Sequence, residues 1–180
     1  MSRIGNKSIP VPAGVTVVIN DGEVVVTGKG GELRQTYNRD IGITEQDGSI
    51  VITRPSDRKD HRSLHGLYRA LVANMVTGVN DGFTRTLDLV GYRVQASGQG
   101  INLQIGYSHP VIIQPLEGVT FEVEGNNRVH IRGINKQIVG EMAAQIRRLR
   151  PPDAYKGKGI RYLGEHITLK AGKSGARGAA

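Results

Sequence analysis

The sequence predicts an α+β fold: two tandem duplicated domains, each a small, mainly antiparallel β-sheet packed with one α-helix. Three observations lead there. Val and Ile together number 35 against 11 Leu, and β-branched side chains suit a pleated sheet better than a helix. Most of the chain alternates apolar and polar residues, while two stretches switch to three- and four-residue spacing. One pattern also recurs in both halves. Gly contributes 25 of the 180 residues, about double the usual share of roughly 7%, and it is spread through turns, as many short strands require.

Taken in order, residues 15–19 and 23–27 alternate around Asn20-Asp21-Gly22 and read as a hairpin. Ile41 and Ile43, then residues 50–52, flank a turn at Asp47-Gly48. The first helix carries Leu64, Leu67, Tyr68, Leu71, Val72, Met75 and Val76 on one face. It begins near Asp60, fades at Gly78 and stops at Asn80-Asp81-Gly82. Phe83, Leu87 and Leu89 then face one way along a strand, with Thr84, Thr86 and Asp88 opposite. Residues 94–96 and 101–105 form a further hairpin around Gly98-Gln99-Gly100. The second helix carries Ile138, Val139, Met142, Ala143, Ile146 and Leu149, with Asn135 at its N-cap and Pro151-Pro152 ending it.

The recurring pattern pairs residues 12–17 with 115–121, and 24–28 with 129–133, a shift of about 104 residues. That is far longer than a solenoid repeat, and it suits duplication of a whole domain. The expected boundary lies at Gly82, giving domains 1–82 and 83–180. Each is large enough to bury only a modest core.

Charge separates the function classes. Lys and Arg number 24 against 16 Asp and Glu, a net charge of +8, which favours an anionic partner. Residues 1–82 are net +1 and residues 83–144 are neutral, so residues 145–180 hold +7 of the excess. Cys is absent, which excludes disulfides and thiolate chemistry and suits a reducing compartment. No apolar run approaches the roughly 18 residues of a bilayer span, and the N-terminus lacks a signal-peptide core. The expectation is a cytoplasmic chain with no membrane partner.

Enzymatic motifs fail on inspection. Gly172-Lys173-Ser174 imitates the end of a phosphate-binding loop, but position 167 is Ile where that loop needs Gly, and too few residues follow for a helix. His61 and His65 lie one helical turn apart without a third ligand, and are expected to be solvated. Ser108 and His109 are adjacent in an extended segment and point apart. No pair of carboxylates has a defensible acid–base spacing. The expectation is therefore no catalytic residue, no metal and no cofactor.

The segment from Tyr155 to Tyr162 reads differently. Lys156 and Lys158 alternate with Gly157 and Gly159, glycines that would let the backbone approach a polyanion, and the two tyrosines could stack on a base or ribose. With no Trp and only two Phe, the chain lacks the aromatic platform of a single-strand reader. Contact with folded RNA through backbone and shape fits better. Arg147, Arg148 and Arg150 end the second helix, where cations also favour the dipole, so their role stays open between helix and RNA. A tail of this kind is expected outside both cores, so that removing residues 154–180 would leave a folded protein.

Residues 1–5 with 9–12, Gly91-Tyr92-Arg93, Gly106-Tyr107-Ser108-His109-Pro110, and residues 152–160 resemble the opening, central and C-terminal signatures of the bacterial large-subunit ribosomal protein L-six family. The likeness spans nearly the whole chain. One departure is Asp153-Ala154, where many relatives have Glu then Pro, which loosens the start of the basic loop. The resemblance implies duplicated α+β domains and no catalysis. It implies a structural role in the ribosome, with large-subunit rRNA bound mainly by the second domain. The place is near the sarcin–ricin loop and the base of the lateral stalk, among neighbouring ribosomal proteins and where translational GTPases dock. Obligate self-association is not implied. Carried onto this chain, the contacts are Tyr155, Lys156, Lys158, Arg161, Lys170, Lys173 and Arg177, with Arg93 and His109. A free-standing RNA-binding module or RNA chaperone is the alternative.

Overall fold

A computed structural model describes residues 4–172. The chain divides into two compact units. The first runs to Phe83 and takes in Ile134–Lys136; the second comprises Thr84–Gly133 and the described chain from Gln137 onward.

Unit 1 contains β1 (Ile9–Pro10), β2 (Thr16–Asn20), β3 (Glu23–Gly28), β4 (Gly31–Thr36), β5 (Gly42–Gln46), β6 (Ser49–Thr53) and α1 (Lys59–Asn80). The strands form two sheets, β2-β3-β4 and β1-β6-β5. Alternation decides which residues go inward: Val24 and Val26 on β3, and Ile50 and Ile52 on β6, are buried, and meet Val72, Met75, Val76 and Val79 of α1 in one core. The β5–β6 turn has Asp47 and Gly48 both at positive φ, 48° and 70°, which matches the twist of a two-residue hairpin.

Unit 2 contains, apart from the first residue of β7 and of α2, β7 (Phe83–Val90), β8 (Arg93–Ser97), β9 (Gly100–Gln104), β10 (Val111–Ile113), β11 (Val119–Glu124), β12 (Arg128–Gly133), α2 (Lys136–Leu149) and β13 (Gly159–Tyr162). Its sheets are β10-β9-β8 and β11-β12-β7-β13. Leu87, Leu89, Leu103, Val129, Ile131, Val139, Met142 and Ile146 are buried.

The α+β class stands, with two sheets in each unit where one was expected. Alternation reveals a strand but not its neighbour, so the partition into sheets was not readable. The duplication is real but its register differs. β2, β3, β5 and α1 begin at residues 16, 23, 42 and 59, and β8, β9, β11 and α2 at residues 93, 100, 119 and 136, each 77 residues later. β1 beside β6 corresponds to β7 beside β12. The shift of about 104 aligned the hairpin β2–β3 with β11–β12, which belong to different sheets. Half-buried hairpins of similar composition look alike, and the sequence match followed that likeness.

Two further expectations give way. His65 is buried, at 2% exposure. Its Nδ1 lies 2.8 Å from an Arg54 guanidinium nitrogen and its Nε2 2.8 Å from the Ile52 carbonyl. A guanidinium can only donate, so Nδ1 accepts and Nε2 carries the proton. The ring joins α1 to β6. His61 is half-buried and bonded to the Ser56 hydroxyl at 2.7 Å.

Part of the basic tail also lies within the core. β13 pairs antiparallel with β7, setting Gly159 opposite Val90 and Ile160 opposite Leu89, and Ile160 is fully buried. β13 is the strand that unit 2 adds to the duplicated plan. Ile160→Ala should destabilise the protein by about 2–5 kcal/mol, measured by denaturant unfolding, and deletion of residues 154–180 should leave unit 2 without a cooperative transition.

Candidate nucleic-acid interface

The site grows from the end of α2. Pro151 and Pro152 stop the helix, because proline supplies no N–H and clashes with the preceding turn. The Leu149 carbonyl, left without a helical partner, accepts the Tyr107 hydroxyl at 2.8 Å. That bond fixes the loop before β10 against the helix end.

Arg150 follows. Its guanidinium lies 6.0 Å from the Tyr92 ring centroid and 5.8 Å from that of Tyr107, and its Nε donates to the Tyr92 hydroxyl at 3.2 Å. These contacts hold its pKa above the ordinary value, the Tyr92 hydrogen bond first. They orient the charge without neutralising it. His109 is exposed and stacks on Tyr107, with centroids 5.7 Å apart and planes within 5°.

The loop at residues 153–158 is closed by its own hydrogen bonds. Asp153 N–H donates to the Lys158 carbonyl at 2.8 Å, and Gly157 N–H to the Asp153 carbonyl at 2.9 Å. The Asp153 carboxylate accepts the Lys156 N–H at 2.9 Å. The departure at Asp153 therefore tightens the loop, since a short carboxylate caps its own turn. Ile160 N–H reaches the Arg150 carbonyl at 2.8 Å, and Lys170 N–H the Ala154 carbonyl at 2.7 Å.

The glycines serve this closure. Gly157 is buried with φ +67°, facing Leu169. Gly159 is buried, and a Cβ there would stand 2.5 Å from Pro152 Cα. On the side where a Cβ would stand, the chain itself fills the space at both glycines. Gly91, at φ +74°, leaves room for the Lys158 stem, whose Cγ and Cδ would lie 3.2 Å from an added Cβ.

Tyr92, Arg150, Lys156 and Lys158 thus line one open hollow, with Asp153 as its carboxylate. Three stretches far apart in sequence meet there or beside it: 91–93, 106–110 and 150–158. Tyr155 is 60% exposed. Arg93 and Lys170 are exposed, and Lys173 and Arg177 lie outside the described residues.

Other expected contacts sit elsewhere. Arg161 is half-buried on β13, opposite Asp88. Tyr162 is half-buried, with Arg147 at 5.5 Å and Arg85 at 5.9 Å from its centroid, so it is not a free stacking surface. Arg147 is committed to Glu165, Nε to Oε2 at 3.1 Å. Arg148 is exposed, 3.9 Å from Glu141. The helix-end arginines therefore divide: Arg147 holds the fold and Arg150 belongs to the cluster. Sequence reasoning left Arg150 open and did not join it to Tyr92 and Tyr107, because nothing local says that two loops and a helix end converge. Among the described residues no three His, Cys, Asp or Glu are grouped to hold a metal ion, and no helix is long and apolar enough to cross a membrane.

The ribosomal protein L6 family model matches residues 11–82 and again residues 90–163. The chain belongs to this family. The first match lies within unit 1 and the second, residues 134–136 aside, within unit 2. The protein named large ribosomal subunit protein uL6 from Deinococcus deserti is 53% identical over 180 residues, covering 99% of this chain and 97% of its own length. Its namesakes from Halalkalibacterium halodurans and Rubrobacter xylanophilus are each 51% identical over 177 residues, covering 97% of this chain and 99% and 100% of their own lengths.

The Arg147–Glu165 pair gives a pH signature. Glu165 also accepts the Tyr162 N–H at 3.0 Å, and its pKa is lowered, chiefly by the Arg147 hydrogen bond. A lowered folded value means stabilisation that is full at neutral pH and lost as pH falls through that value. Glu165→Gln should cost about 1 kcal/mol at pH 7. The difference from wild type should narrow as thermal unfolding is followed below the ordinary carboxylate value of about 4.3.

Proposed function

We propose that this L6-family protein is a structural, non-catalytic constituent of the large ribosomal subunit that holds folded large-subunit rRNA with the cation cluster of unit 2. The observation that carries this reading is the convergence of Arg150, Lys156 and Lys158 on a surface backed by Tyr92 and Tyr107. Arg93, Arg150, Lys156, Lys158 and Lys170 are exposed, and none is engaged by a carboxylate in the ion pairs of the described residues.

The mechanism is positioning. The loop is closed before RNA arrives, so little backbone entropy remains to be lost on binding. Arg150 offers a planar fork to phosphate oxygens, with its unused face against the rings. Lys156 and Lys158 add point charges, and exposed Tyr155 offers a stacking face. Releasing counterions from the RNA supplies much of the affinity, without reading base sequence.

The finer placement follows the family resemblance: a contact near the sarcin–ricin loop and the base of the lateral stalk, where neighbouring ribosomal proteins lie and translational GTPases dock. In that place the protein works as a rigid support, in the cytoplasmic ribosome. It is not an enzyme, its family being ribosomal proteins.

With five phosphate contacts, the slope of log K against log salt should be roughly −4. Lys156→Ala and Lys158→Ala should each flatten it by about 1, measured by filter binding to a large-subunit rRNA transcript. A slope near zero, or protection of rRNA only outside the sarcin–ricin region in footprinting, would overturn the reading or its placement respectively.

A further inference from the structure

Unit 1 carries a second basic surface, on the first three turns of α1. Arg58, immediately before the helix, and Arg62 and Gly66 within it are spaced four apart, with Arg69 three further on; the four residues share one face. Arg58 and Arg62 are exposed, as are Lys59 beside them and Lys7. Arg69 Nε donates to the Lys7 carbonyl at 3.1 Å, which brings the N-terminal segment and its lysine to the end of the row. None of Lys7, Arg58, Lys59, Arg62 and Arg69 has a carboxylate among the ion pairs of the described residues.

Inside the unit the row is only partly compensated. Asp57, just before the helix, has its pKa lowered chiefly by the Arg54 hydrogen bond, with Arg62 the least of the causes. Asp60 lies in the first turn. Neither makes an ion pair with Arg58, Lys59, Arg62 or Arg69 among the described residues. Like charges four apart on a helix repel. Cations near the start of a helix oppose its dipole, and Arg58 makes no side-chain capping bond. Gly66 is the third anomaly. A Cβ built there meets nothing within 4 Å, so the chain does not need a glycine. Mid-helix Gly is nonetheless less favourable than Ala by about 1 kcal/mol.

One occupant removes all three conflicts. We propose that the Arg58–Arg62–Gly66–Arg69 face of α1 is a second RNA-docking surface, with a phosphate backbone lying along the helix and approaching closest at Gly66. From Arg58 to Arg69 the row rises about 16 Å, enough to follow several consecutive phosphates. Guanidinium forks match phosphate oxygens. The row itself is three arginines and a glycine, with no apolar member of the kind a membrane-binding face would require. The proposal rests on the ribosomal reading above, and assigns unit 1 a part in it that the net charge of residues 1–82 conceals.

The test uses the full-length protein and a large-subunit rRNA transcript. Arg58→Gln with Arg62→Gln should flatten the salt slope by about 2 while thermal unfolding stays cooperative. Gly66→Ala should raise Tm by roughly 2–4 °C and yet weaken binding at least several-fold, a combination that a merely structural glycine would not give. Lys156→Ala with Lys158→Ala is the control. If that control loses affinity while the α1 variants bind like wild type, the second surface is refuted and the ribosomal reading stands. If neither set alters binding, the ribosomal reading fails and takes this proposal with it. If the α1 variants bind the transcript normally but fail to enter subunits, the row meets an acidic protein, which also refutes an RNA contact.

Discussion

The pairing of β13 with β7 is the constraint on which the rest of unit 2 depends. Ile160 enters the core opposite Leu89, and everything between it and the end of α2 must span a fixed gap. The basic loop occupies that gap. Its cations are held by a backbone that a buried side chain anchors at one end and a proline-terminated helix at the other. Electrostatics alone would leave such charges on a solvated strand of chain. Burial of one isoleucine turns them into a surface with a shape.

The legibility of the sequence follows the range of each signal. Both helices, the hairpins at residues 20–22, 47–48 and 98–100, and the inward residues of β7 were legible, because periodicity and turn chemistry act within a few residues. Pairing acts across tens of residues, and there the reading slipped. It expected one sheet per domain and a 104-residue repeat, where topology gives two sheets and 77. β13 escaped because Gly159-Ile160-Arg161-Tyr162 has a single fully apolar inward residue and sits in a run that looks like a tail. His65 was misjudged because its partners, Arg54 and the Ile52 carbonyl, come from before the helix that carries it. In the candidate site, Lys156 and Lys158 were named from sequence, whereas the joining of Arg150 to Tyr92 and Tyr107 needed three dimensions. That the two glycines also let the loop pack on Leu169 and Pro152 needed three dimensions as well.

Duplication explains how the units diverged. Both keep the same plan of a three-stranded meander, a β-hairpin and a helix. Unit 2 extends it with β13 and the loop that β13 secures. Its charge is concentrated at that addition, leaving the inherited sheets nearly neutral. Unit 1 kept its charge balance overall and placed its unpaired arginines along the helix. The two copies thus present cations on different elements of one ancestral plan.

The close approach of Gly159 to Pro152 has a consequence for how this chain can vary. A backbone cannot be lengthened where it already touches itself. With Ile160 held opposite Leu89, one residue inserted between α2 and β13 would have to bulge out of the loop and break the bonds that close it, Asp153 N–H to the Lys158 carbonyl and Gly157 N–H to the Asp153 carbonyl. Changes of identity within the loop are far easier to absorb than changes of length. The interval from 149 to 162 therefore behaves as a ruler: its spacing, more than its lettering, is what the protein must preserve.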